Sequence, residues 1–269
     1  MAGPDSPASC YLVQTDDSAG RTWSLVLDLG SGAFGRLQRH IDPAHIDAVC
    51  LSHLHADHCA DIVGLAVWAK WAPGGPLAPI PVYGPSDTVS RIRQLTDHGR
   101  GEHINAVHGA HGRTAGGAFA VRTWKPGVTV NVGPFRITPW PARHPVEAYA
   151  LRVVAPSSTP GGEVTLAYTG DGDEGPGCEA AARGAGLLLA EAGFVEGRDA
   201  VRGVHMTASQ AAELAAGAGV ETLVLTHVAP WDDRDVAVRA AEVIFTGQVY
   251  AATPGAVHRV EGAPAGAAE

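Results

Sequence analysis

Positive charge is scarce in this chain: 19 Lys and Arg stand against 28 Asp and Glu, a formal net charge of −9. Non-specific nucleic-acid binding rests on neutralising phosphates with cations, so this balance argues against it. Cysteine is sparse too. Cys10, Cys50, Cys59 and Cys178 show no CxxC spacing. Cys50 lies in an apolar run and Cys59 opens a helical one, which suits small buried thiols better than a disulfide framework. No apolar stretch reaches the ~20 residues that a spanning helix needs. The opening Met1-Ala2-Gly3-Pro4-Asp5-Ser6-Pro7 has neither the basic region nor the apolar core of a secretory signal. An internal repeat is missing, and so is any linker long enough to separate a second core from the first. What remains is 45% hydrophobic with a mean hydropathy of +0.03, the composition of a globular protein expected in the cytoplasm. The expectation is a single domain over residues 1–260 and a disordered Ala/Gly/Pro-rich tail over 261–269.

Histidine, by contrast, is concentrated in Ser52-His53-Leu54-His55-Ala56-Asp57-His58. Imidazole is costly to desolvate and offers no aliphatic volume, so a helix or strand interior gains nothing from such a cluster. A divalent cation gains much, because imidazole nitrogens and carboxylate oxygens are preferred zinc ligands. The run before it, 47–51, is short, apolar and β-prone; the run after it, 59–71, has apolar residues at helical spacing. The candidate ligands His53, His55, Asp57 and His58 therefore sit on a turn between a buried strand and a helix, where loops carry chemistry.

Strands are predicted over 10–15 and 23–28, with a short helix over 34–41 that ends at Asp42-Pro43. A strand over 80–83 leads to a helix that Ser86 could cap. Further β-prone runs cover 119–124, 128–130, 135–140, 149–154 and 164–168. Helix and strand then alternate: 179–183, 187–190, 207–217, 222–225, 232–245 and 248–251. Strands gathered early and alternation late predict an α/β protein with two sheets face to face and helices outside both. Three further candidates stand just past the end of a β-like run: His144, Asp171 and His227. Strand ends on one edge of a sheet can gather side chains from distant sequence, as a shared metal site requires. His98, His103, His108 and His111 read as a solvated loop. Trp68 and Trp71 read as core and rim packing, and His40, His45 and His258 as surface.

With HxHxDH, then His144, then Thr169-Gly170-Asp171, then Thr226-His227, the chain resembles the metallo-β-lactamase-fold hydrolases over nearly its whole length. The resemblance implies a four-layer αββα sandwich whose usual first strand, ahead of Gly3-Pro4-Asp5-Ser6-Pro7-Ala8-Ser9, is missing. It also implies two divalent ions: His53, His55 and His144 on one, Asp57, His58 and His227 on the other, and Asp171 bridging them with a hydroxide. Zinc is the expected metal, and manganese or iron suits the same donors. Within the fold the chain is similar to the branch holding RNase Z and cyclic-nucleotide phosphodiesterases. There His205-Met206-Thr207 would supply a histidine to protonate the leaving oxygen, Glu191 would orient it, and Asp57 would orient the attacking hydroxide and take its proton.

RNase Z carries a tRNA-gripping arm between the counterparts of His144 and Asp171. Here that segment holds only the short uncharged loop 155–162, which with the acidic chain argues against tRNA. Leu37-Gln38-Arg39-His40, Tyr83-Gly84-Pro85-Ser86-Asp87 and Thr226-His227-Val228-Ala229-Pro230-Trp231 are similar to a bacterial cyclic-nucleotide phosphodiesterase group. The expected activity is therefore hydrolysis of a small phosphodiester, a 3',5'-cyclic nucleotide such as cyclic AMP. The alternatives are an RNase Z-like endoribonuclease, or a lactone or thioester hydrolase on the same metal site. No membrane partner is expected. Relatives are often dimers, so a homodimer is one state that the resemblance allows.

Overall fold

The computed structural model describes residues 1–96, 107–108, 117–159 and 161–260. The tail from 261 and all but two residues of the histidine-bearing stretch 98–111 lie outside the described residues. The chain divides into two compact units, residues 1–14 with 20–124, and 15–19 with the chain from 125 onward.

The first unit is built on a six-stranded sheet in the order β1-β2-β3-β4-β6-β5. Its strands are β1 (Tyr11–Asp16), β2 (Thr22–Leu27), β3 (Ala48–Cys50), β4 (Ile80–Gly84), β5 (Val107–His108) and β6 (Phe119–Thr123). From β2 onward the pairs are parallel. Parallel neighbours need crossovers, which here carry α1 (Ala33–Leu37), α2 (Ala56–Cys59), α3 (Ile62–Trp71) and α4 (Thr88–Thr96). A sheet covered in this way has buried strands without alternation, and β3 is buried at every residue. Helix α3 is apolar on nearly every face, and its neighbours bury Ile62, Leu65, Ala66 and Ala69, one stripe at helical spacing. That stripe joins a core with Val26, Val49, Val82 and Phe119. Each large aliphatic side chain withdrawn from water there contributes about 1.5–3 kcal/mol. Trp68 packs against this core and Trp71 is exposed, as their expected core and rim roles require.

Three local expectations shift. The single helix over 59–71 is interrupted at Ala60 and Asp61, where the Asp61 N–H donates to the Leu29 carbonyl at 3.1 Å instead of to the carbonyl four residues back. The Asp61 carboxylate in turn accepts the Phe34 N–H at 2.8 Å and satisfies the open first turn of α1. Helix α1 stops at Leu37, short of Asp42, whose own carboxylate accepts the Ala44 N–H and starts a 3₁₀ turn, Pro43–His45. Helix α4 begins at Thr88 rather than next to Ser86, with the Thr88 hydroxyl donating back to the Pro85 carbonyl at 2.7 Å.

The second unit holds a seven-stranded sheet in the order β13-β12-β11-β10-β9-β8-β7. Its strands are β7 (Val130–Val132), β8 (Phe135–Pro141), β9 (Tyr149–Pro156), β10 (Glu163–Tyr168), β11 (Leu187–Glu191), β12 (Thr222–Thr226) and β13 (Gln248–Ala251). Strands β7 to β10 pair antiparallel and β10 to β13 parallel. The parallel half is crossed over by α5 (Pro176–Ala182), α6 (Ala208–Gly217) and α7 (Arg234–Glu242). Helix α6 starts on a capping box between Thr207 and Gln210. It packs Ala208, Ala211, Ala212 and Ala215 onto Leu188, Leu223 and Leu225. Two reversals through β9 leave β8 running in the same sense as β10, β11 and β12, so the carboxyl ends of these four strands share one edge. No helix among the described residues is long and apolar enough to cross a membrane. The four cysteines are free thiols, three of them buried.

Candidate metal centre

In the first unit the histidine motif follows β3, and Asp28 follows the parallel neighbour β2, in the register Leu27 to Cys50. The two strand ends therefore meet. The Asp28 carboxylate accepts the Ser52 N–H at 2.7 Å on Oδ1 and the Ser52 hydroxyl at 2.7 Å on Oδ2. The same Oδ2 lies 2.7 Å from His58 Nδ1. Asp28, Ser52 and His58 are all buried. Their shared hydrogen bonds offset the cost of burying that charge. Asp28 reaches this position with φ at 56°, left-handed backbone that costs on the order of 1–3 kcal/mol and clusters at functional sites.

The network fixes which imidazole nitrogens face a ligand. The Ser52 hydroxyl gives its proton to Asp28, so it accepts from His53 Nδ1 at 3.1 Å. Asp28 likewise accepts the hydrogen bond of the His58 Nδ1–H. Both rings are left with the lone pair on Nε2, the arrangement that a carboxylate or hydroxyl behind a metal-ligating histidine produces. His53 Nε2 lies 3.0 Å from His55 Nδ1. Two ligand nitrogens of one tetrahedral zinc stand roughly 3.3 Å apart at ordinary bond lengths, so the pair fits a cation with little movement. Asp57 Oδ2 lies 3.9 Å from His58 Nε2. The Asp57 backbone presses on Gly30, where a Cβ would stand 1.9 Å from the Asp57 carbonyl oxygen. Only glycine admits that approach.

In the second unit, the shared sheet edge presents His144 beyond β8, Asp171 beyond β10, Glu191 at the end of β11 and His227 directly after β12. His144 donates from Nδ1 to the Val204 carbonyl at 2.9 Å, which again leaves Nε2 for a ligand. Asp171 Oδ2 lies 3.2 Å from His227 Nε2. His227, like Asp28, is a non-glycine residue with left-handed backbone, φ 57°. His205 Nδ1 lies 2.8 Å from Glu191 Oε1, and its ring stacks on His227 with centroids 5.2 Å apart. The ring of His144 is 5.7 Å from that of His205. Donor atoms of Glu191, His205 and His227 all fall within 4.8 Å of one another.

Glu191 is wholly buried and accepts from the Gly172 and Gly193 N–H groups besides its contact with His205. Burial pushes its carboxyl above the ordinary range, and the charge of Asp171 adds to this against the pull of His205 and His227. A Cβ on Gly193 would stand 3.1–3.2 Å from His205, Glu191 and His227 at once, so this glycine lets the three pack together.

Within the first unit His53 and His55 follow β3, with Asp57 and His58 in the one-turn helix α2 behind them. Within the second His144, Asp171, Glu191 and His227 stand at or just past strand ends, and His205 reaches them from the segment ahead of α6. Sequence reasoning passes over Asp28, the last residue of an expected strand. Its signal is the one that singles out Asp171, a carboxylate directly past an apolar β-run. The tethers from Ser52 and the Val204 carbonyl leave no such mark.

The family described as Beta-lactamase superfamily domain matches residues 25–228. The uncharacterized protein ML1173 of Mycobacterium leprae is 38% identical over 95% of this chain and 83% of its own length. The probable metallo-hydrolase YhfI of Bacillus subtilis is 31% identical over 93% of this chain and 91% of its own. The crystal structure of YhfI superimposes with a TM-score of 0.77 at 27% identity, covering 96% of this chain and 95% of that one. Human tRNase Z, short form, shares the fold at a TM-score of 0.66 and 20% identity, with 96% and 94% covered. With its strand-end histidines and carboxylates already tethered as metal ligands are, the chain belongs to the β-lactamase superfamily and is a metal-dependent hydrolase of the metallo-β-lactamase fold.

Proposed function

We propose that this metallo-hydrolase cleaves a small phosphodiester, most specifically a 3',5'-cyclic nucleotide such as cyclic AMP, in the cytoplasm. The ligand set is His53, His55 and His144 for one cation and Asp57, His58 and His227 for a second, with Asp171 shared. Two zinc ions so bound would supply water of lowered pKa and neutralise the non-bridging phosphate oxygens. Asp57 orients the attacking water and accepts its proton. His205 delivers a proton to the departing oxygen, a poor leaving group as a bare alkoxide. Glu191 holds His205 by Nδ1 and keeps its other nitrogen available for that transfer.

The observation that carries this reading is the 2.8 Å contact between His205 and a buried Glu191, beside the rings of His144 and His227. A carboxylate-held imidazole next to the ligands is what protonation of a leaving oxygen needs. Two features favour a small anion over tRNA. Strand β9 turns into β10 over residues 157–162 with no room for a gripping arm. A net charge of −9 also repels a polyanion more than a single phosphodiester.

The test is a substrate panel on metal-analysed protein: bis-p-nitrophenyl phosphate, cyclic AMP, cyclic GMP, a tRNA precursor and a homoserine lactone. Turnover of the cyclic nucleotides supports the proposal, and cleavage of the lactone alone refutes it. Asp171→Ala should abolish turnover while circular dichroism and the unfolding midpoint stay near the parent's; an unchanged rate would remove the ligand assignment.

A further inference from the structure

Asp173 lies two residues beyond Asp171, completely buried, and none of the roles above uses it. Its carboxylate nevertheless gathers partners from neighbouring loops. Oδ2 accepts the Gly203 N–H at 2.7 Å and stands 3.5 Å from Arg143 Nη1. Oδ1 stands 3.0 Å from Arg202 Nη2 and accepts the Glu174 N–H at 2.9 Å. Its own N–H donates to the Arg143 carbonyl at 2.9 Å.

These partners flank the site histidines. Arg143 directly precedes His144. Arg202 and Gly203 directly precede Val204, whose carbonyl holds His144 Nδ1, and His205 comes next. The segment 202–205 belongs to no helix or strand, so its course depends on such tethers. The guanidiniums of Arg143 and Arg202 are half exposed. The carboxylate between them is completely buried.

We propose that Asp173 is a positioning residue, which sets the imidazoles of His144 and His205 by pinning segment 202–205 to the loops after β8 and β10. The inference rests on the reading of these two histidines as site residues, and its test does not need the substrate. Asp173→Asn keeps the shape but turns a donor toward Gly203 or the guanidiniums. In the metal-free, 15N-histidine-labelled full chain, that variant should lose the single Nδ1–H tautomer of His144 and His205. His53 and His58 should keep theirs. Amide exchange at Gly203, Val204 and His205 should quicken at least tenfold. On metal-loaded protein, kcat for bis-p-nitrophenyl phosphate should fall about 10–100-fold, with KM changed far less.

Arg202→Ala removes a half-exposed side chain that also pairs with Glu174 at 2.6 Å, and leaves the Asp173 carboxylate in place. It should shift the same signals in the same direction, so the proposal stays testable if Asp173→Asn folds poorly. Arg202→Lys should restore some of the loss. Tautomer signals and amide exchange left at parental values in both Asp173→Asn and Arg202→Ala would overturn the proposal. That outcome is separate from a failure of the phosphodiesterase reading, which would leave the imidazole signals unaffected.

Discussion

Replacing Asp28 with asparagine changes little in volume and keeps the backbone, because asparagine tolerates the left-handed φ of 56° at least as well as aspartate. The consequence is confined to hydrogen bonding. The Ser52 N–H cannot reverse its polarity, so the carboxamide oxygen stays on it and the amide nitrogen turns toward Ser52 Oγ and His58 Nδ1. His58 must then accept at Nδ1, which moves its proton to Nε2 and removes the lone pair proposed to bind a cation. Loss of such a partner behind a metal ligand costs 10–100-fold in affinity, or about 1.4–2.8 kcal/mol. All three hydrogen bonds to the carboxylate lose their charge assistance at the same time, each worth about 1.5–3 kcal/mol in the fold. Competition titration of zinc against a chromophoric chelator reads the first quantity, and urea unfolding of the metal-free chain reads the second. Parental zinc affinity in Asp28→Asn would refute both the assigned tautomer and the place of His58 among the ligands.

Two more outcomes are expected. Gly30→Ala places a Cβ 1.9 Å from the Asp57 carbonyl oxygen and 2.8 Å from the Ala8 side chain, so the Asp57 turn must move. A loss of about 3 kcal/mol in unfolding free energy is expected, together with weakened zinc binding, and a parental urea midpoint would contradict it. The Cys178 thiol is pushed from 9.0 up to about 12, by burial first and then by Glu191, Glu179 and Asp173. Above pH 9.0 the unfolded chain releases this proton before the folded one, so stability falls as pH rises, by up to ~1.4 kcal/mol per unit. Cys178→Ala should remove that share of the alkaline loss, and identical pH dependence of the two proteins over roughly pH 8–10 would count against the assigned burial.

The sequence is informative where one period dominates. Strand β13 matches its expected span, and β8, β9, β10, β11 and β12 differ from theirs only at the ends, because apolar runs bounded by glycine and proline leave few alternatives. Boundaries shift where a side chain from elsewhere decides them. The Asp61 N–H goes to the Leu29 carbonyl and its carboxylate to the Phe34 N–H, which splits the helix over 59–71 by contacts that no local pattern encodes. The same holds at the site. Histidine and carboxylate at strand ends are visible in a sequence, since their chemistry has no structural substitute. The groups behind them are ordinary residues: a serine hydroxyl, a backbone carbonyl at Val204, and an aspartate that ends an apolar run. They become visible only once the parallel register of β2 and β3, or the path of segment 202–205, brings them within hydrogen-bonding reach of an imidazole.

Because Ser52, Asp28, Val204 and Glu191 already immobilise the rings that flank them, much of the entropic cost of assembling a coordination sphere is met when the polypeptide folds. Capture of an ion is then closer to adsorption on a prepared surface than to the disorder-to-order transition of a zinc finger. Chelation should leave secondary structure in place and lower the melting temperature only by the mass-action increment of a lost ligand.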